Sequence, residues 1–279
     1  MDGSMTSSWQ PLEADCDQIL HQFPHPLQAL AARQIPALVL RKAYDPTHCT
    51  GLMQRFTERG YFDRATVDVE SQLSGGPYLD LGTSLGREGA DPDGLFAHAE
   101  RTHALFANLF DGFDDPVHTM YAALDRLAPD KQVRTAYEPD GRRYGPAIFR
   151  IYHGQEGHKA HYDSVARRSN RPEYAVTHFE HQFAGVLCLQ NSAAEGEPFI
   201  YDCYADEQID EILRSGDFES YAQAEKIAQT QVLLEPGDLY FFYTENIHKV
   251  PPVTRGKPRV VLAFFCAMAA DRDEIFVWS

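Results

Sequence analysis

The sequence predicts a mainly β fold with α: a double-stranded β-helix, or jelly roll, with a helical N-terminal third packed on it. Three observations carry that prediction. From Lys131 onward, Val, Ile, Phe, Tyr and Leu gather in short runs divided by Gly, Pro, Asn and Asp, the texture of many short antiparallel strands. Before that point apolar residues recur at three and four, the helical period, in Leu95 to Phe110 and in Pro116 to Ala128. The 279 residues, 43% of them hydrophobic, hold no repeat and no low-complexity linker, which suits one domain over 1–279, with helical support and lid in 1–130 and the jelly-roll core in 131–279.

In chain order, "IPALVLRKAYD" predicts a strand, and "DPTHCTGLMQRFTERGYF" a helix that Asp45 can cap with Pro46 in its first turn. Asp63 to Asp93 is Gly-rich and polar and too long for a simple connector, so it reads as a flexible or functional loop. The two periodic helices follow. The strand runs are then "QVRTAYE", "PAIFRIYHG", "HKAHYDS", "QFAGVLCLQNS", "PFIYDCYA", "QVLLEPGDLYFFY", "IHKVPPV", "PRVVLAFFCAM" and "IFVWS", interrupted by one helical excursion near Asp206 to Ala228.

Composition excludes several classes. The formal net charge of -16 argues against a protein that tracks nucleic-acid phosphates, although "ARRSNR" at Ala166 to Arg171 is a local basic patch whose plainest reading is a solvated loop. Five cysteines without CxxC spacing or clustering disfavour a disulfide framework and a zinc-thiolate site. No apolar run is long enough for a membrane span and no secretory signal pattern opens the chain, so a cytoplasmic location is expected; Met5 offers a second start after the opening "MDGS". There is no GxSxG and no Walker loop, and "SGGPYLDLGTSLG" lacks the strand-Gly-helix setting of a dinucleotide fingerprint. Cys188 with His181 offers a nucleophile and a base, but Cys188 sits in an apolar strand pattern and reads as buried and inert.

The chemistry gathers around "GHKAHYDSV", Gly157 to Val165. A strand sends alternate side chains to one face, so His161 and Asp163 can point at a single ion. Such spacing recurs by chance, and a third ligand has to come from elsewhere. His248 supplies it, at the start of a strand beyond the turn "EPGD" and its aromatic run. Two imidazoles and one carboxylate form the facial set that suits a non-haem Fe(II) and leaves adjacent positions open. His158 has the opposite parity to His161 and is expected to face away; His153, His178 and His181 are expected to be non-ligands. Arg150 and Tyr152 share a strand face and can line the barrel near the metal, or serve as surface arginine and core tyrosine.

With "HYD", then "PGDLYFF" leading to His248, then "HKVPPVTRGKPR" ending at Arg259, the sequence resembles the Fe(II)/2-oxoglutarate dioxygenases. A weaker likeness through "RDEIFVWS" extends to the free-standing alkaloid halogenases and related hydroxylases of natural-product pathways, whose halogenating members carry Gly where this chain has Asp163. The resemblance implies Fe(II), 2-oxoglutarate and O2 as cofactors, succinate and carbon dioxide as coproducts, and removal of a substrate hydrogen, with hydroxylation the default and desaturation, ring formation or epimerisation open from the same radical. It also implies an arginine for the distal carboxylate of 2-oxoglutarate. Arg259, entering an apolar strand, is preferred over Arg255, which lies beside Gly256 in a turn. A halogenase-like outcome and a non-catalytic jelly-roll binding protein are the rival readings. The two expected lids, Asp63 to Asp93 and Ser164 to Glu180, bring Tyr78, Tyr174, Phe179, Arg167, Arg168 and Arg171 toward the barrel mouth, which suits a small-molecule substrate with an anionic or planar part.

Overall fold

Short apolar runs must each bury at least one face, and here they do so in two sheets with a cavity between them. The computed structural model describes residues 9–66, 73–75, 78–153, 156–167, 173–192 and 195–279. In chain order the elements are β1 (Leu12–Glu13), α1 (Cys16–Gln22), α2 (Pro26–Ala31), β2 (Ala37–Leu40), α3 (Pro46–Glu58), β3 (Leu73–Ser74), β4 (Leu79–Leu81), α4 (Leu85–Glu88), α5 (Pro92–Leu109), α6 (Pro116–Leu127), β5 (Gln132–Thr135), β6 (Ile148–Tyr152), β7 (Glu156–His161), β8 (His181–Gln190), β9 (Phe199–Tyr204), α7 (Glu207–Ser215), α8 (Phe218–Ala224), β10 (Gln229–Gln231), β11 (Leu239–Tyr243), β12 (Asn246–Val253), β13 (Arg259–Met268) and β14 (Glu274–Trp278). The large sheet runs β1-β2-β11-β8-β13-β6-β4-β3, with β14 beside the far half of β13 and β5 beyond it; the small sheet runs β10-β9-β12-β7.

Strand parity sorts the large sheet's side chains into two cores. On β8, Phe183, Leu187 and Leu189 join the cluster formed with the helices, whereas Ala184, Val186 and Cys188 face the other sheet. A strand covered on both faces reads as a continuous apolar run, which is why "FAGVLCL" shows no alternation. Phe149 of β6 fastens the helices to this sheet: its ring meets Phe56 of α3 at 4.9 Å and Phe106 of α5 at 5.5 Å between centroids, both edge-on. As expected, Asp45 caps α3, accepting from the Thr47 N–H at 2.7 Å. The turn expected at "EPGD" splits its run into β10 and β11, and Gly237 is needed there: its φ is +97° and a Cβ would stand 2.3 Å from the Tyr44 carbonyl oxygen.

The first third is helical as expected, and with the expected strand β2 it also extends the large sheet through β1 to β4. One expectation needs correction. The Asp63 to Asp93 stretch, expected as a loop, carries a short 3-10 turn (Arg64–Thr66), β3, β4 and α4 among its described residues; 67–72 and 76–77 lie outside them. The reason is "LDL": Leu79 and Leu81 pair beside Ile151 and Phe149 and join the helix-side core, while Asp80 sits opposite Arg150. Three residues are too few for a periodic signal, and only the neighbouring strand makes them one.

Candidate metal centre

β7 and β12 run antiparallel with His161 directly opposite His248. Asp163 follows β7 by two residues and is held by its own backbone, its N–H donating to the Thr244 carbonyl while the Thr244 hydroxyl donates to the Asp163 carbonyl. His161, Asp163 and His248 each place one ligand atom within 4.8 Å of the others, the sole group of this kind found among the described residues.

The tautomers follow from the backbone. Nδ1 of His161 lies 2.6 Å from the Lys159 carbonyl and Nδ1 of His248 lies 2.9 Å from the Asn246 carbonyl, so in both rings Nδ1 carries the proton and Nε2 keeps its lone pair. Oδ2 of Asp163 stands 3.7 Å from Nε2 of His161 and 3.5 Å from Nε2 of His248. These distances exceed those of hydrogen bonds, and all three atoms are acceptors aimed at one point. A cation would bind all three at once. Burial alone would raise the Asp163 carboxyl, but hydrogen bonds and charge from the two imidazoles, when these are protonated at Nε2 as well, outweigh it and hold it well below the usual carboxylate range. Burial, and then the neighbouring His161, push the His248 imidazole down, which keeps it neutral as a ligand must be. Phe242 packs edge-on against His248, centroids 4.8 Å apart, and fixes the ring.

The triad opens into a cavity of about 370 Å³ between the sheets. On its large-sheet wall, Arg259 begins β13 opposite Tyr152 of β6, and Arg150 lies opposite Val261, so two guanidinium groups flank Tyr152 on one face. Arg259 is 2% exposed, its guanidinium is 5.6 Å from the Tyr152 ring, and its Nε has no hydrogen-bond partner. Among the described residues no carboxylate lies within ion-pair distance of it. A buried guanidinium in that state calls for an anionic ligand. Arg255 is different: its side chain is 86% exposed and sits 3.5 Å from Glu195. Arg150 comes no nearer than 4.0 Å to Asp80, whose other carboxylate oxygen is taken by Arg87.

His158 overturns its expected orientation. The pairing slips between His248↔His161 and Val250↔His158, so two residues on β12 span three on β7, and the bulge turns His158 back onto the cavity. Its Nδ1 is 3.3 Å from Nε2 of His161, and its ring rests on Tyr78 at 4.7 Å. Burial, with Arg150 and His161 nearby, pushes its pKa down to about 2. Gly157 permits the bulge: a Cβ there would stand 2.6 Å from the Val250 carbonyl oxygen and 2.8 Å from the Pro252 nitrogen.

Of the other expected residues, Arg150, Tyr152 and Tyr78 line the cavity, as do Ser84, Gly86 and Arg87 of the same strap as Tyr78. The second lid is corrected. Tyr174 is buried and donates to the Gly89 carbonyl, Phe179 packs on Phe276, and Arg167 donates to the Ala205 carbonyl and reaches Glu245, so all three brace the wall instead of lining it. Arg168 and Arg171 lie outside the described residues. His178 pairs with Glu173, His181 packs against Tyr243, and neither lines the cavity; nor does His153. Cys188 is fully buried, and burial pushes its thiol up to about 12, so it is no nucleophile. No helix among the described residues is long and apolar enough to cross a membrane.

Two sheets enclosing a His/Asp/His cluster, with the buried Arg259 on the facing wall, define the class: an enzyme of the Fe(II)/2-oxoglutarate-dependent oxygenases, with a jelly-roll fold. A family model described as the carrier-protein-independent halogenase WelO5 matches residues 8–279, and the chain belongs to that family. A search of the curated proteins finds no matching relative. Among solved structures, the chain is similar to an N-substituted L-amino acid dioxygenase from Burkholderia ambifaria AMMD, at 17% identity and TM-score 0.55 over 91% of this chain and 90% of that one. The same enzyme in complex with alpha-KG gives 16% and 0.56 over the same shares. At such identity the likeness is one of fold.

Proposed function

We propose that the protein is a hydroxylase of this family, acting as one domain over residues 1–279 on an unactivated C–H bond of a small natural-product-type molecule. His161, Asp163 and His248 hold Fe(II) through Nε2, a carboxylate oxygen and Nε2, the donor set that non-haem iron favours. Arg259 takes the distal carboxylate of 2-oxoglutarate, for which its buried, unpaired guanidinium is suited. Fe(II) held there would supply, with 2-oxoglutarate and O2, the oxidising power to remove a substrate hydrogen. Arg150, 4.0 Å from Asp80 and over the Tyr78 ring, lines the cavity and favours a molecule with an anionic part.

The observation that carries hydroxylation over halogenation is Asp163. Its carboxylate oxygen lies 3.7 and 3.5 Å from the two imidazole nitrogens, in the third facial position, where the halogenases that the sequence resembles have glycine. A chloride would have to displace a tethered anion. The test begins with a screen for substrate-stimulated succinate release in air, which a non-catalytic binding protein would not give. Mass spectrometry of the product formed at high chloride should then show added oxygen and no chlorine. Chlorinated product from the native protein overturns the reading.

A further inference from the structure

The hydrogen bonding around His161 assigns a role to His158 beyond the ligand set, and it rests on the reading of His161 as a ligand. Nδ1 of His161 donates to the Lys159 carbonyl, so its Nε2 is bare. The 3.3 Å contact between that Nε2 and Nδ1 of His158 therefore has one polarity: His158 donates and His161 accepts. A metal ion on His161 takes the same lone pair. Loading the site thus removes the acceptor of the His158 N–H and leaves the ring at the cavity wall, wedged between Tyr78 at 4.7 Å and Tyr152 at 6.1 Å between centroids. His158 itself stands outside the group of mutually close ligand atoms, so it is not a fourth ligand in this arrangement.

What the freed N–H meets follows from the layout of the cavity. A cosubstrate chelated at the triad and anchored on Arg259 would pass near Tyr152, whose ring lies 5.6 Å from the Arg259 guanidinium. His158 flanks that path. We propose that His158 is a positioning residue, whose Nδ1–H passes from His161 in the metal-free protein to an oxygen at the chelating end of 2-oxoglutarate in the loaded one. One N–H would then stabilise the empty site and orient the cosubstrate in the filled one, without a buried donor left unsatisfied in either state.

The test compares native protein, His158→Leu and His158→Asn, loaded anaerobically with Fe(II) and titrated with 2-oxoglutarate while the visible charge-transfer band of the chelate is followed. Asn places its amide N–H where Nδ1 of histidine stands; Leu fills the space with no donor. A donor to a chelating oxygen lowers the energy of the acceptor orbital, so the Leu variant should absorb at shorter wavelength. It should also bind 2-oxoglutarate about tenfold more weakly, the size of one hydrogen bond's net contribution, and Asn should restore most of both. A Leu variant with native band position and affinity overturns the proposal, as does an equal displacement in Leu and Asn, which would mark a packing role. No chelate band in the native protein would instead sink the ligand reading on which it rests.

Discussion

His248 faces His161 across the β7–β12 pair, residue opposite residue, with ring centroids 4.3 Å apart. Two histidines 87 positions apart in the chain are thereby placed by backbone pairing, and their orientation by the carbonyls of Lys159 and Asn246. The three side chains are thus held in place by the backbone, and the following outcomes are expected.

Anaerobic protein with Fe(II) and 2-oxoglutarate should show the weak visible band of the chelate, since three protein ligands leave room for a bidentate one. His161→Ala or His248→Ala should abolish it. Absorption titration decides, and an undiminished band in both variants would reject the ligand set.

Arg259→Ala should weaken 2-oxoglutarate binding far more than Arg255→Ala. Losing one side of a buried charge pair costs about 2 to 5 kcal/mol, while an exposed arginine beside Glu195 is worth about 1 kcal/mol or less. Titrating the chelate band in both variants gives the comparison, and an equal or larger loss at Arg255 would place the anchor there.

Asp163→Gly removes a charge and an oxygen ligand. Most hydroxylation should be lost as iron binding weakens, and chlorination can appear only where the substrate radical lies nearer chloride than hydroxide. Product mass spectrometry of native protein and variant in chloride reads both effects; full hydroxylation by the variant would show that Asp163 does not bind the metal.

Gly157→Ala should lower Fe(II) affinity although Gly157 offers no ligand. The new Cβ would meet backbone atoms of Val250, Pro251 and Pro252 within 3 Å, and the bulge that pairs β7 with β12 has to shift. Overpacking of this kind costs roughly 1 to 3 kcal/mol. Calorimetric Fe(II) titration matching the native protein would mean that the bulge does not hold His161 in place.

Phe149→Ala should destabilise the fold by about 3 to 5 kcal/mol, because the ring is wholly buried between α3, α5 and β6. Urea unfolding checks the value. A cost below about 1 kcal/mol would show that the helices hold to the sheet by other contacts.

By itself the sequence determined what is written locally. The helical period before residue 128 and the strand runs after 131 survive because each element's burial repeats along its own chain. The His-x-Asp spacing, the distal His248 and the arginine at the head of an apolar strand could be located for the same reason, and the structure brings the first three together and puts Arg259 on the facing wall. Only the tertiary structure decided the rest. The side to which His158 points depends on a slip in pairing with β12, which breaks the two-residue period that the sequence reading assumed. The strand at Leu79–Leu81 exists because β6 lies beside it, and Leu73–Ser74 because Leu79–Leu81 does; the pairing with β6 also sets Asp80 against Arg150. Tyr174, Phe179 and Arg167 became struts of the wall because their partners, Gly89, Phe276, Ala205 and Glu245, come from distant parts of the chain. Contacts between positions so far apart leave no periodic trace in the sequence, because nothing but the closing of the two sheets on each other brings them within reach.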